Sequence, residues 1–445
     1  MVFLKGWCLI PKLRTFKHIK RLKLYGEYIV TSSNKILSLL FGVILFLPLF
    51  PVQLNETQYH VTLAILLGLI LIFLMSWKQL GGFKGGSPVL YYYLCLQLLL
   101  ILSGVMGVDT VKEYQDLISL FRPMILLSSF YLLYCLTSRN RDFFRTLIKP
   151  MKFICMAMFI WAVYESIIQN NIFQSINYLL YKMERKDDIK NVAVTFFFLP
   201  YYSAFVSVFM IAFFYTCRYT YKIRGTYKYI FMSFCCIVLT QSKTGVVAAL
   251  FLIVCCELIS SSQLKRIFCV VCVIILFFIS FYFYDYLLMY LNLYFPGNFT
   301  RTVSQLVDDP SSAYTLSARI EQFLRIYSQT MQHIPFIGYG LGRDLLIESW
   351  PATIYVRYGW IGICVFLIFN FFLIFKGICY YLTHTSNAFR YQAIIFSFWI
   401  ISTLISQMSA MMTENTKTSF IYLVYLVIFM QLIYKPHKIN KSNLG

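Results

Sequence analysis

Residues 88–108 read PVLYYYLCLQLLLILSGVMGV, an apolar run of 21 residues without a single charge. A helix needs roughly 20 such residues to cross the hydrocarbon core of a bilayer, about 30 Å thick, so the run predicts a transmembrane helix. Working outward from it, comparable runs recur along the chain at 36–50, 61–77, 117–137, 149–169, 193–217, 228–242, 245–260, 266–291, 354–375, 391–411 and 418–434. The sequence therefore predicts an all-α, polytopic membrane protein of about twelve spans. Spans seven and eight are separated only by Ser242-Lys243-Thr244-Gly245, which predicts a tight hairpin or two part-buried helices meeting at one membrane face.

Composition agrees with that class. Hydrophobic residues make up 59% of the 445 and charged residues 13%, with mean hydropathy +0.69, outside the usage of soluble domains. The net charge of +21 follows from topology rather than nucleic-acid binding. With the N-terminus inside, two thirds of the 39 cations fall on the cytoplasmic side, against only Glu27 and Asp142 of the 18 acids, as the positive-inside rule prefers. Both termini are then cytoplasmic. The chain divides into a basic interfacial segment (1–35), spans one to nine (36–291), a long outer loop (292–353), spans ten to twelve (354–434) and a cytoplasmic tail (435–445). The basic segment mixes Leu22, Leu24, Tyr25, Tyr28 and Ile29 with lysines, a pattern suited to anionic lipid. The thirteen cysteines avoid the outer loops, so they read as small hydrophobes rather than a disulfide framework or a metal site.

Ionisable residues within spans are costly and default to functional candidates. On this topology Arg122 lies roughly 9 Å below the outer face, six residues at 1.5 Å each, and Glu165, Lys243 and Asp285 also sit near outer span ends. Glu257 lies near an inner end, where a charged head reaches water. The outer loop concentrates Arg301, Arg319, Arg325, His333, Arg343 and Glu348. Ile320, Phe323, Leu324, Tyr327 and Met331 recur at helical spacing, predicting an amphipathic helix over 317–332. Arginines gathered at an outer leaflet suit a lipid diphosphate, since guanidinium binds phosphate oxygens bidentately and keeps its charge. GYGLG at 338–342 is weak evidence for a nucleotide site, as no strand precedes it.

Three stretches resemble the O-antigen polymerase and ligase superfamily of bacterial surface-polysaccharide assembly: LTQSKTGVVAALFLIV (239–254), SARIEQFLRIYSQTMQHIPFIGYGLG (317–342) and ESWPATIYVRYGWIG (348–362). The similar region covers roughly a third of the chain. The resemblance implies a GT-C-like glycosyltransferase in the bacterial cytoplasmic membrane, using polyprenyl-diphosphate-linked oligosaccharides as donor and acceptor without cofactor, metal or nucleic acid. It implies a chain-length regulator and a flippase as working partners. Arg319 aligns with the family's small-small-Arg element, and Lys243 replaces its arginine after Ser242. Where ligases carry His-Asn, this chain has Glu348-Ser349, which favours a polymerase with Glu348 as general base. Arg319, Glu348 and Lys243 are thus the catalytic candidates, and Arg325, Arg301, His333, Arg343 and Arg122 the substrate-binding ones. A ligase-type transferase and a lipid-linked oligosaccharide transporter remain the alternatives.

Overall fold

Leucine, isoleucine and phenylalanine runs in lipid must satisfy every backbone polar group within their own segment, and helices are the local solution. A computed structural model describes residues 86–109, 114–138, 143–168, 192–197, 199–260, 321, 323–328, 336–341, 349–385, 387–412 and 415–434, with isolated helical positions at 42, 70 and 289. Its named helices are α1 (Ser87–Met106), α2 (Tyr114–Leu120), α3 (Arg122–Thr137), α4 (Phe143–Val163, continued by a π turn Tyr164–Ile168), α5 (Pro200–Tyr219), α6 (Tyr227–Leu239), α7 (Lys243–Ser260), α8 (Trp350–Thr383), α9 (Phe389–Ser406) and α10 (Thr416–Tyr434). Six helical stretches among the described residues are long and apolar enough to cross a membrane, within α1, α4 with its π turn, α5, α8, α9 and α10. The protein is therefore a helical, multi-pass membrane protein. Spans one, two and nine, the basic segment, most of 292–353 and the tail fall outside the described residues.

Helix α5 is buried continuously from Ser203 to Cys217, as expected of a helix apolar on all sides. Its Phe209 meets Trp399 of α9 edge-on at 5.8 Å and Tyr425 of α10 at 5.2 Å. Phe396 stacks on Phe429 at 3.7 Å, so α5, α9 and α10 form an aromatic centre.

Four expectations need correction. Span six was expected from residue 193, yet α5 begins at Pro200. Proline suits a first turn, and Leu199 before it is extended (φ −135°, ψ 149°) as pre-proline residues are. Span four is interrupted at Phe121: Pro123 supplies no N–H, and α2 ends before α3 begins. Span ten, expected over 354–375, is a 34-residue helix bent at Gly359 (φ 63°, ψ −164°). The amphipathic turn at 323–328 buries Ile326 (1% exposed) and leaves Leu324 57% exposed, so its inward face is Phe323, Ile326 and Tyr327. These rings pack against Tyr355 and Trp360. Spans seven and eight, α6 and α7, meet at a short turn through Gln241 at φ 52° and then part, α7 packing on α9 and α5 rather than along α6.

The bend in α8 shows how the fold meets the cost of a broken helix. Freed carbonyls and amides must find partners inside a membrane protein. Val356 O accepts Tyr339 N (2.6 Å), Phe336 O accepts Ile361 N (3.2 Å), and Arg357 O accepts Ser103 Oγ (2.8 Å). The 336–341 loop thus inserts where the helix opens, and Gly340 pairs with Asp109 on its other side. A Cβ at Gly359 would stand 2.3 Å from Phe336 O, and one at Gly340 2.3 Å from Asp109 O. Gly338, Gly340 and Gly359 therefore answer to backbone approach, whereas Gly362 makes room for the Tyr358 side chain.

Candidate functional site

Towards one end of the bundle α4, α6 and α9 finish and α5, α7, α8 and α10 begin, joined by direct contacts. The positive ends of those helix dipoles favour anions there. Hydrogen bonds tie the end together. Glu165 Oε2 accepts Val194 N (2.9 Å) and Thr195 N (2.7 Å), and Ala193 N donates to Leu239 O at 2.9 Å. Buried and doubly bonded to the main chain, Glu165 holds the entry to α5 in place.

Two cations head helices at this end, Lys243 on α7 and Lys417 on α10, while Arg122 heads α3 deeper in the bundle. Lys417 is 1% exposed and its ammonium donates to Phe196 O at 2.8 Å, with the Phe197 ring centroid 5.6 Å away. Sequence reasoning missed it, because it falls one residue before span twelve. The signal was present: like Lys243, it stands at the head of a span. Lys243 is half-buried; its neighbour Thr244 bonds Ser409 Oγ (2.6 Å) and donates to Ser406 O (3.4 Å). This fixes the α7 head against the α9–α10 turn.

Arg122 borders a small, partly open cavity between α1, α3, α8, α10 and that turn. Tyr92, Tyr93, Tyr358 and Tyr422 line it with Asn370 and Gln407. The carboxamide of Gln97 spans the α2–α3 break: Nε2 donates to Leu120 O (2.9 Å) and Oε1 accepts Met124 N (3.2 Å). Arg122 therefore lies level with Gln97, nine residues or about 14 Å from the end of α1 at Met106. That is deeper than the roughly 9 Å expected from sequence, because α2 precedes the break.

Beside the cavity two buried polar atoms lack partners among the described residues, Gln407 Oε1 and Trp350 Nε1. The residues carrying them are joined by their main chains, Trp350 N donating to Gln407 O at 3.1 Å. One is an acceptor and the other a donor. Leaving such atoms unmet costs about 1–3 kcal/mol each, and a bound hydroxyl or an ordered water completes them.

Of the eight residues singled out from sequence, Arg122 and Lys243 border the same α9–α10 turn, from the cavity side and from α7. Arg325 is exposed on its helical turn and does not line the cavity. Arg301, Arg319, His333, Arg343 and Glu348 lie outside the described residues; Glu348 directly precedes Ser349, the buried N-cap residue of α8. No protein-family model matches the chain, and no curated protein is significantly similar to it.

Proposed function

We propose that this chain is a glycosyltransferase of the polymerase kind, moving the glycan of a polyprenyl-diphosphate donor onto a second lipid-linked repeat at the outer face of a bacterial cytoplasmic membrane. The cavity is the observation that carries the reading. Helix N-termini and Arg122 suit a diphosphate, while four tyrosines, Gln407 Oε1 and Trp350 Nε1 suit sugar faces and hydroxyls. In the reaction an acceptor hydroxyl oxygen bonds to the donor's anomeric carbon as the bond from that carbon to the diphosphate oxygen breaks. Polyprenyl diphosphate departs, its charge stabilised by Arg319, Lys243 and Arg122, and Glu348 takes the hydroxyl proton. Both termini then face the cytoplasm, and no metal or cofactor enters.

Deletion of the gene followed by gel analysis of surface glycan tests the proposal. A single repeat left on its carrier supports the polymerase. Full-length glycan missing its final attachment indicates the ligase-type alternative.

One observation favours a second reading. The break between α2 and α3 sets Arg122 well below the helix ends, and interrupted helices around a deep charged site are a transporter feature. Glycan precursors accumulating on the inner side in the deletion strain would select that reading, a lipid-linked oligosaccharide flippase.

A further inference from the structure

At the opposite end of the bundle, the groove between α4 and the α5–α6 hairpin gathers positive charge. Arg145, Lys149 and Lys152 recur at i, i+4 and i+7 on α4 and share one face of it. The Arg145 guanidinium stands 5.5 Å from the Tyr221 ring centroid, and the Lys152 ammonium 5.6 Å from that of Tyr229. Lys228 brings a second ammonium to the Tyr229 ring, at 5.0 Å. Phe214 stacks on Tyr229 with centroids 4.9 Å apart and planes at 21°, so the ring is held in place beneath the two lysine heads. The ring attracts each cation, but their mutual repulsion stays, and an anion between them removes it.

The described part of the fold does not supply that anion. Among the described residues neither lysine has a carboxylate partner. Glu257, the one acid described at this end, accepts the hydroxyls of Tyr215 (2.9 Å), Tyr219 (3.3 Å) and Tyr227 (3.0 Å). Further along the same face of α4, Phe153 (67%), Met156 (44%) and Ile160 (52%) are exposed, as is Phe231 (66%) on α6. Cations at the mouth with an apolar stripe below them match the shape of a lipid, head and tails.

We propose that this groove binds an anionic phospholipid of the surrounding bilayer, with its phosphate between Lys152 and Lys228, Arg145 at the rim, and its acyl chains along Phe153, Met156 and Ile160. A zwitterionic head group fits less well, because Glu257 is already taken by three hydroxyls and leaves no described acid for a choline ammonium. The site stands apart from the cavity and does not depend on the reaction.

Native mass spectrometry of the full chain in mild detergent tests this, titrating dioleoylphosphatidylglycerol and dioleoylphosphatidylcholine separately. Each interfacial cation contributes about five-fold in affinity, so the two lysines should favour the phosphatidylglycerol adduct by roughly 30-fold. Lys152→Gln with Lys228→Gln should reduce that adduct to the phosphatidylcholine level, while an equal concentration of inorganic phosphate leaves it in place on the wild-type chain. Should the double variant unfold in a melting curve, Lys228→Gln alone carries the test with a loss of about five-fold. Equal binding of both lipids, a preference that survives the lysine substitutions, or displacement by inorganic phosphate would each overturn the site.

Discussion

Two helix interruptions and one inter-helix turn surround the same cavity, and they treat their polar groups differently. At the α2–α3 break, Gln97 supplies both a donor and an acceptor to the opened turn. At the α8 bend, the 336–341 loop and Ser103 take up the freed backbone groups. Beside the α9–α10 turn, by contrast, Gln407 Oε1 and Trp350 Nε1 are buried without a partner among the described residues. At the two interruptions the fold answers its own backbone, and of the buried side-chain atoms without a described partner Gln407 Oε1 is the one whose residue lines the cavity. Substitutions that disturb the first two places should cost stability, and substitutions at the third should cost activity.

The largest effect is expected at Gly359. Its positive φ and the 2.3 Å approach of a Cβ to Phe336 O make Gly359→Ala both strained and crowded. A loss of about 3 kcal/mol or more is expected, read as a large fall in melting temperature or loss of the monodisperse peak in detergent. An alanine variant with unchanged melting would show that the bend is not built as described.

Gln97→Leu comes next. Leucine keeps much of the volume but leaves Leu120 O and Met124 N unpaired in an apolar setting, a cost of about 1–3 kcal/mol. Thermal unfolding should shift downward accordingly. Arg122, displaced with the break, should lose part of its contribution to turnover in the same variant. A stable Gln97→Leu protein would mean that water or a neighbour replaces the carboxamide.

Arg122→Ala separates stability from function on the side of the cavity. If Arg122 faces the diphosphate, turnover should fall by about 10²- to 10³-fold, the range for removal of one charge-stabilising donor, with melting changed by less than about 1 kcal/mol. Arg122→Lys should restore only part, since the ammonium lacks the bidentate fork. Near-normal glycan synthesis in the alanine variant would remove Arg122 from the proposed site.

These contrasts also explain what was legible beforehand. The helices were readable because membrane spans are local compositional facts: 88–108 and 391–411 differ from α1 and α9 by only a few residues. The breakers were visible too, Pro123, Pro200 and Gly359, but a breaker does not name the group that repairs it. Gln97 answers residues 23 to 27 positions away, and Ser103 answers Arg357 across 254. Such pairings follow from packing. The glycine runs were legible as motifs while the physical purpose of Gly338, Gly340 and Gly359, admitting one backbone to another, was not. Glu165 and Lys243 were both marked by depth in a span, yet depth alone does not separate a carboxylate bonded to two amides from a lysine at a helix head. Lys417 and Gln407 escaped because they sit at the edges of runs, where span limits drawn from hydropathy are least certain.

The smallest expected change in stability carries the sharpest sign. Gln407→Met keeps the length of the side chain and removes an acceptor that has no partner among the described residues. If that oxygen is a cost borne for a ligand, the methionine variant should melt at the same temperature or higher, by up to about 1 kcal/mol, since an isosteric apolar replacement ends the burial of an unmet polar atom. Glycan transfer should nonetheless fall, with a larger rise in KM for the acceptor than fall in kcat, because the lost bond orients a hydroxyl rather than reacting with it. If instead an ordered water bridges Gln407 and Trp350, the same substitution strands that water, and melting should drop while transfer by the folded protein stays near wild type. A melting curve and an acceptor titration on one preparation decide between the two, and a variant that is both less stable and fully active ends the assignment of the α9–α10 turn to the site.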